Sequence, residues 1–208
     1  MAPISKISDM TKRWIIESKT AIEAGYVNNP NDRGGETKCG ITAVKANEYR
    51  ADLMRLFKWD GQMRNLTTQM AFYIYDIDFW QKMRLDEVIL RHPFIADRLF
   101  DLGINAGKGI PVKHLQRALN VLNRQTKLYE DITADGAIGP GTIKALDGFI
   151  KARGNEGVLR LTTLLFCLQG NHYVECAESR VQNEEFEYGW AGRVHDQLQF
   201  YADLIDAA

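Results

Sequence analysis

A chain of 208 residues, 45% hydrophobic and 25% charged, is long enough to bury a core and has the makeup of an ordinary soluble globular protein. Its formal net charge of −1 gives no electrostatic case for a nucleic-acid partner or for a strongly cationic wall-binding surface. Three scattered cysteines, Cys39, Cys167 and Cys176, make no disulfide framework and no metal-site spacing with histidine, and are read as buried free thiols.

The opening segment, Met1 to Thr20, has no apolar leader core, and no apolar run reaches transmembrane length. The expectation is synthesis in the cytoplasm without stable membrane insertion. The first element is a helix. Thr11, Ile15, Ser18 and Ile22 recur on one face, Ser8 or Asp9 caps the start, and Gly25 stops it. Glu23 then falls in the last turn, where the negative end of the helix dipole pushes a carboxyl towards its protonated form. A general acid needs that push. Asp32 follows on a loop rich in turn formers (Asn28, Asn29, Asn31, Gly34, Gly35) that can fold back across a cleft from Glu23. Glycoside hydrolysis uses such a pair: one acid protonates the leaving oxygen, and the other group activates water or stabilises the oxocarbenium-like transition state. Thr37 and Thr42 add hydroxyls for orienting a water. On spacing alone, a solvated glutamate followed by an ordinary Asp-Arg-Gly-Gly turn is the competing reading.

Glu23, Gly25, Tyr26, Asn28, Pro30, Asp32, Gly34, Gly35, Thr37, Gly40, Ile41 and Thr42 follow the pattern E-G-G-Y-x-N-x-P-x-D-x-G-G-x-T-x-x-G-I-T, with Ala24 at the first glycine. In this the chain resembles the glycoside hydrolase family 108 N-acetylmuramidases of phage endolysins and related bacterial proteins. The resemblance implies Glu23 as the catalytic acid, Asp32 in the second role with Thr42 or Thr37 assisting, and Tyr26 as a substrate contact. It implies no metal and no cofactor.

Further along, Val44, Ala46 and Tyr49 begin a helix that Thr42 can cap, and the apolar pattern runs through Leu53 and Phe57 to the Asp60-Gly61 turn. Asn65 to Met83 reads as helix, capped by Thr67 or Thr68. Tyr75 and Trp80 resemble the family's aromatic stripe, which implies sugar subsites, beside a core reading of both rings. His92-Pro93 opens a helix leading into Phe100-Asp101-Leu102-Gly103-Ile104-Asn105-Ala106-Gly107, similar to a family segment F-D-x-x-x-N-x-G. Asp101 and Asn105 share a helix face and are expected either to brace the Asp32 loop or contact an N-acetyl group, or to play a helix-end role.

Pro111 starts another helix, with Val112, Leu115, Leu119 and Leu122 at core spacing. Asp135-Gly136-Ala137-Ile138-Gly139-Pro140-Gly141-Thr142 resembles the D-G-x-x-G-P-x-T segment of peptidoglycan-binding modules; as plain chemistry it is a turn that starts a helix. Val158 to Glu175 is a long apolar helix, and a last one begins at Gly189-Trp190, where Trp190 is a packing anchor.

The expected fold is mainly α, a lysozyme-like helical bundle. Residues 1–110 form the muramidase region and residues 111–208 a helical peptidoglycan-binding-like region, packed as one body. The expected function is a monomeric endolysin. It cleaves the β-1,4 bond between N-acetylmuramic acid and N-acetylglucosamine of peptidoglycan glycan strands, after release to the periplasm or wall, for host lysis. A lytic transglycosylase and a non-catalytic wall-binding or secretion-associated protein stand as alternatives.

Overall fold

Apolar residues at three- and four-residue spacing dominate the chain, and helices dominate its structure, a computed structural model that describes residues 4–22, 25–28 and 35–206. Helix α1 spans Ile4–Ile22 and so begins before the Ser8 or Asp9 cap expected from the sequence. It buries Ile15 and Ile16. A small antiparallel meander follows: β1 (Tyr26–Asn28), β2 (Glu36–Lys38) and β3 (Ile41–Thr42), in that order. These strands leave almost no trace in the sequence pattern, because two or three residues are too few to show a period of two.

The β2–β3 turn is tight. Lys38 pairs with Ile41, and Cys39 and Gly40 between them both have positive φ, 52° and 71°. That is the signature of the hairpin turn whose twist matches its strands, with glycine at the second position and cysteine where Asn or Gly is usual. Cys39 is held there by burial and by the Tyr75 hydroxyl, which donates to its carbonyl at 3.3 Å.

Thr42 ends β3 and caps α2 (Ala43–Glu48), its hydroxyl accepting from the Lys45 N–H at 3.2 Å. Helix α3 (Arg50–Phe57) follows. Thr67 caps α4 (Thr68–Ile74) in the same way, accepting from Met70 N at 3.3 Å. Helix α4 runs on into a π-helical turn, Tyr75–Trp80, where Gln81 N donates to Asp76 O at 2.9 Å. In a regular α-helix Trp80 would sit about 140° around the axis from Tyr75. The wider turn lets both rings enter the core. Short α5 (Leu85–Ile89) precedes α6 (Pro93–Ala106), whose start at Pro93 matches the sequence expectation.

The chain forms two compact units, Met1–Asp101 and Leu102–Ala208. The second contains α7 (Gly109–Leu122), α8 (Pro140–Ser179) and α9 (Glu184–Asp206). Helix α7 buries Val112, Leu115 and Leu119. Helix α8 is broken at Gly154, whose φ of 60° and ψ of −158° lie in a region that side chains forbid. Ile143, Leu146 and Phe149 are buried before the break, and Val158, Leu161 and Leu165 after it.

The Asp-Gly motif before α8 is fastened to one buried residue of α7. Gln116 Nε2 donates to Asp135 Oδ1 at 2.8 Å, to the Ala137 carbonyl at 3.0 Å and to Thr142 Oγ1 at 3.0 Å, while its Oε1 accepts from Gly136 N at 2.9 Å. The motif's polar groups therefore work inside the fold. Helix α9 starts at Glu184, ahead of the expected Gly189, with Glu184, Glu185 and Glu187 in its first turn, where the dipole favours acids. Trp190 packs against Tyr173 and Phe186, with ring centroids 5.4 and 6.1 Å apart. Of the three free cysteines only Cys39 is buried; Cys167 is exposed and Cys176 half-buried, which corrects the expectation of buried thiols. Among the described residues, no helix is long and apolar enough to cross a membrane.

Candidate functional site

Two of the expected site residues, Glu23 and Asp32, lie outside the described residues. What surrounds them in sequence is described. Helix α1 delivers the chain as far as Ile22, β1 begins at Tyr26, and the far end of β1, Asn28, pairs with Glu36 of β2. The segment that contains Asp32 therefore starts and ends on two paired strands.

The hairpin is braced by its own side chains. The Tyr26 hydroxyl donates to Glu36 Oε1 at 2.9 Å, and the Arg64 guanidinium lies 5.3 Å from the Tyr26 ring centroid. The Lys38 ammonium donates to the Arg64 carbonyl. The Thr37 hydroxyl donates to the Gly35 carbonyl at 3.3 Å. The Thr42 cap uses one acceptor position of its hydroxyl, which has another acceptor position and a donor for a water.

Buried ions fix the helices on either side. Lys19 Nζ, near the end of α1, lies 3.1 Å from Asp101 Oδ1 and 3.6 Å from Asp97 Oδ1, and Arg98 donates to Asp101 Oδ2 at 3.3 Å. Asp78, 1% exposed in the π turn, pairs with Lys45 at 2.8 Å and with Lys82 at 2.5 Å. The Asp78 carboxylate, with the Tyr49 hydroxyl at 3.0 Å, raises the Lys82 pKa. Burial works against the charge of Lys45, yet its bonds to Asp78 and Glu48 outweigh it and raise that pKa too. Because Lys45 also donates its N–H to Thr42, the Asp78 contact steadies the turn that presents the Thr42 hydroxyl.

Three expected substrate contacts are corrected. Asp101 is 1% exposed and engaged with Lys19 and Arg98, so it acts inside the fold. Tyr75 and Trp80 are 1% and 0% exposed and present no ring face to a sugar. Trp80 Nε1 donates to Asp86 Oδ1 at 2.7 Å, its ring meets Phe100 edge-on at 5.4 Å, and Lys12 lies 5.6 Å from its centroid. Asn105 is exposed in the last turn of α6.

Other aromatic rings do reach a cleft. Phe57, Phe72 and Tyr73 line a cleft of about 510 Å³ with Arg13, Glu17 and Thr20 of α1. Phe57 and Tyr73 meet edge-on at 5.6 Å. A signal for them was present: Gln69, Phe72, Tyr73 and Asp76 form one helical stripe, opposite buried Met70, Ala71 and Ile74.

Residues 16–107 match the family described as Glycosyl hydrolase 108, and residues 110–195 match that described as Predicted Peptidoglycan domain. Among solved structures, the chain is similar to one described as the structure of Brucella abortus SagA, with 22% identity, 90% of this chain and 91% of that chain covered, and a TM-score of 0.62. At that identity the fold is what the two share. No curated protein matches the chain.

Proposed function

From a chain that belongs to the glycosyl hydrolase 108 family over residues 16–107 and carries a peptidoglycan domain over residues 110–195, hence a glycoside hydrolase directed at peptidoglycan, we propose an N-acetylmuramidase. It hydrolyses the β-1,4 bond between N-acetylmuramic acid and N-acetylglucosamine. Glu23 protonates the bridging oxygen as the bond breaks. Asp32 stabilises the positive charge developing on the sugar or holds the incoming water, with the Thr42 and Thr37 hydroxyls orienting that water. The cleft along α1, with Tyr73, Phe72 and Phe57 at its edge, receives part of the glycan strand, since aromatic faces pack on the apolar faces of sugar rings. The enzyme acts as a monomer. Its role is the endolysin role: made in the cytoplasm of a host cell, it reaches the murein after release and lyses the cell.

One observation carries this reading. The signature residues from Glu23 to Thr42 are intact save Ala24, and they run from the end of α1 through a hairpin whose paired strands flank the Asp32 segment. The test is hydrolysis of purified sacculi by the unmodified protein and by Glu23→Gln. Glu23→Gln is expected to lose activity by at least about a hundredfold, the scale of a lost general acid. Mass spectrometry of the products is expected to show reducing-end muramic acid. Clearing of sacculi by Glu23→Gln at the normal rate removes Glu23 from its role, and anhydro-sugar products replace hydrolysis with a transglycosylase reaction.

A further inference from the structure

The second unit contains a cleft of about 810 Å³ between a loop and the first half of α8. The loop wall runs from Thr126 to Ile132, and the helix wall presents Gly141, Lys144, Gly148 and Lys151 at helical spacing.

The loop wall is strained and yet locked. Arg124, Gln125 and Thr126 follow one another with φ of 58°, 59° and 61°, a left-handed conformation that side chains disfavour. Buried Asn123 holds the turn: its Oδ1 accepts from Thr126 N at 3.0 Å, its carbonyl from Leu128 N at 3.1 Å, and its Nδ2 donates to Asp131 Oδ1 at 2.6 Å. Asn120 pairs with Ile132 as a second backbone would, Nδ2 to the carbonyl at 2.7 Å and Oδ1 from the N–H at 2.9 Å. Tyr129 donates to the Leu119 carbonyl at 2.8 Å. It is also seated against Gly148, where an added Cβ would come within 3.1 Å of it. Three left-handed residues persist only when their surroundings over-determine them, and such places concentrate where a surface must be pre-set for a ligand.

The charges around the cleft name the ligand's chemistry. Lys127, Lys144 and Lys151 are exposed along it, and no ion pair among the described residues occupies them. Glu130, Asp131 and Asp147 share the lining. A glycan strand carries little charge. The peptide stems of peptidoglycan carry free carboxylates, ammonium groups and short apolar side chains, which suit three ammonium groups, three acids and a tyrosine ring. We propose that this cleft binds the carboxylate-bearing peptide stem of peptidoglycan. The proposal rests on the peptidoglycan reading above and assigns the peptide, rather than the sugar, to residues 110–195.

The test uses the full chain and the soluble stem tetrapeptide, which holds no glycosidic bond. Titration followed by calorimetry is expected to show saturable binding. The double variant Lys144→Gln, Lys151→Gln is expected to weaken it about fivefold, the scale of two exposed charge contacts. Its thermal unfolding is expected to match that of the unmodified chain, because both side chains are exposed. No saturable binding by the unmodified chain, or equal affinity in the double variant, overturns the proposal. Hydrolysis of peptide-free glycan strands is measured beside it. Hydrolysis without tetrapeptide binding removes this cleft and leaves the muramidase; tetrapeptide binding without hydrolysis removes the muramidase and leaves the cleft.

Discussion

Lys19 on α1 sets its ammonium 3.1 Å from the Oδ1 of Asp101 on α6, and Asp101 holds Arg98 with its other oxygen. The helix that leads to Glu23 is thereby tied near its end to a charged cluster that water barely reaches. Removing one member of such a cluster leaves an uncompensated buried charge. Asp101→Ala is therefore expected to destabilise the protein by about 3–5 kcal/mol in urea unfolding. Asp101→Asn is expected to lower stability while leaving the KM for soluble glycan unchanged. A raised KM with unaltered stability would return Asp101 to the substrate.

The exchange of aromatic roles gives a paired prediction. Tyr73→Ala takes a ring from the cleft edge and is expected to raise KM about three- to tenfold, with a small stability change. Trp80→Ala empties a core position and is expected to cost about 3–5 kcal/mol of stability. The opposite pattern, KM moved by Trp80 and stability by Tyr73, would reverse the two assignments.

Gly154 isolates backbone strain from packing. Its dihedrals belong to glycine, and among the described residues no atom outside its own stretch of backbone lies within 4 Å of the position a Cβ would take. Gly154→Ala therefore meets no clash with packed neighbours and is expected to destabilise by about 1–3 kcal/mol through its own backbone alone. Calorimetric melting of the variant beside the unmodified chain measures this; equal melting temperatures would mean the helix closes over the break.

His114 makes the fold sensitive to acid. It is 7% exposed on α7, its Nδ1 has no hydrogen-bond partner among the described residues, and its ring lies 6.0 Å from that of His172. Burial, with His172 and Arg117 nearby, pushes its pKa down to about 4. The unfolded chain takes up this proton near pH 6.5, well before the folded one does. The stability tied to neutral His114 is thus full above about pH 6.5 and is lost as pH falls to about 4, a total of about 3 kcal/mol. His114→Leu is expected to flatten the stability profile between pH 7 and pH 4 by that amount; an unchanged profile would place the acid sensitivity elsewhere.

What the sequence disclosed was local. Thr42 and Thr67 cap their helices because a cap needs only a hydroxyl and an N–H three residues on, and Pro93 and Pro140 start theirs for the same local reason. The Glu23–Thr42 signature named the family for the same reason: its residues lie side by side in the chain. What stayed hidden depends on distant partners. Gln116 gave no sign that it would hold Asp135, Ala137 and Thr142, because the bonds span a loop. The sequence leaves Asp101 between a bracing, a substrate and a helix-end role, and its engagement with Lys19 of a distant helix is what no local pattern shows. Tyr75 and Trp80 carry a subsite reading only through resemblance to the family's aromatic stripe, beside a core reading that agrees with their burial.

The stretch from Tyr75 to Trp80 sets the phase of everything after it in its helix. The π turn behaves like one extra tooth in a gear: it advances the chain by a residue without advancing the side-chain pattern. Deleting a single residue between Tyr75 and Trp80 would restore an ordinary screw and leave the downstream groups in phase, whereas the same deletion in an unbroken helix would swing them by about 100°. A lost codon in this stretch is therefore expected to do less harm to the residues beyond it than one lost from a regular turn of the same helix.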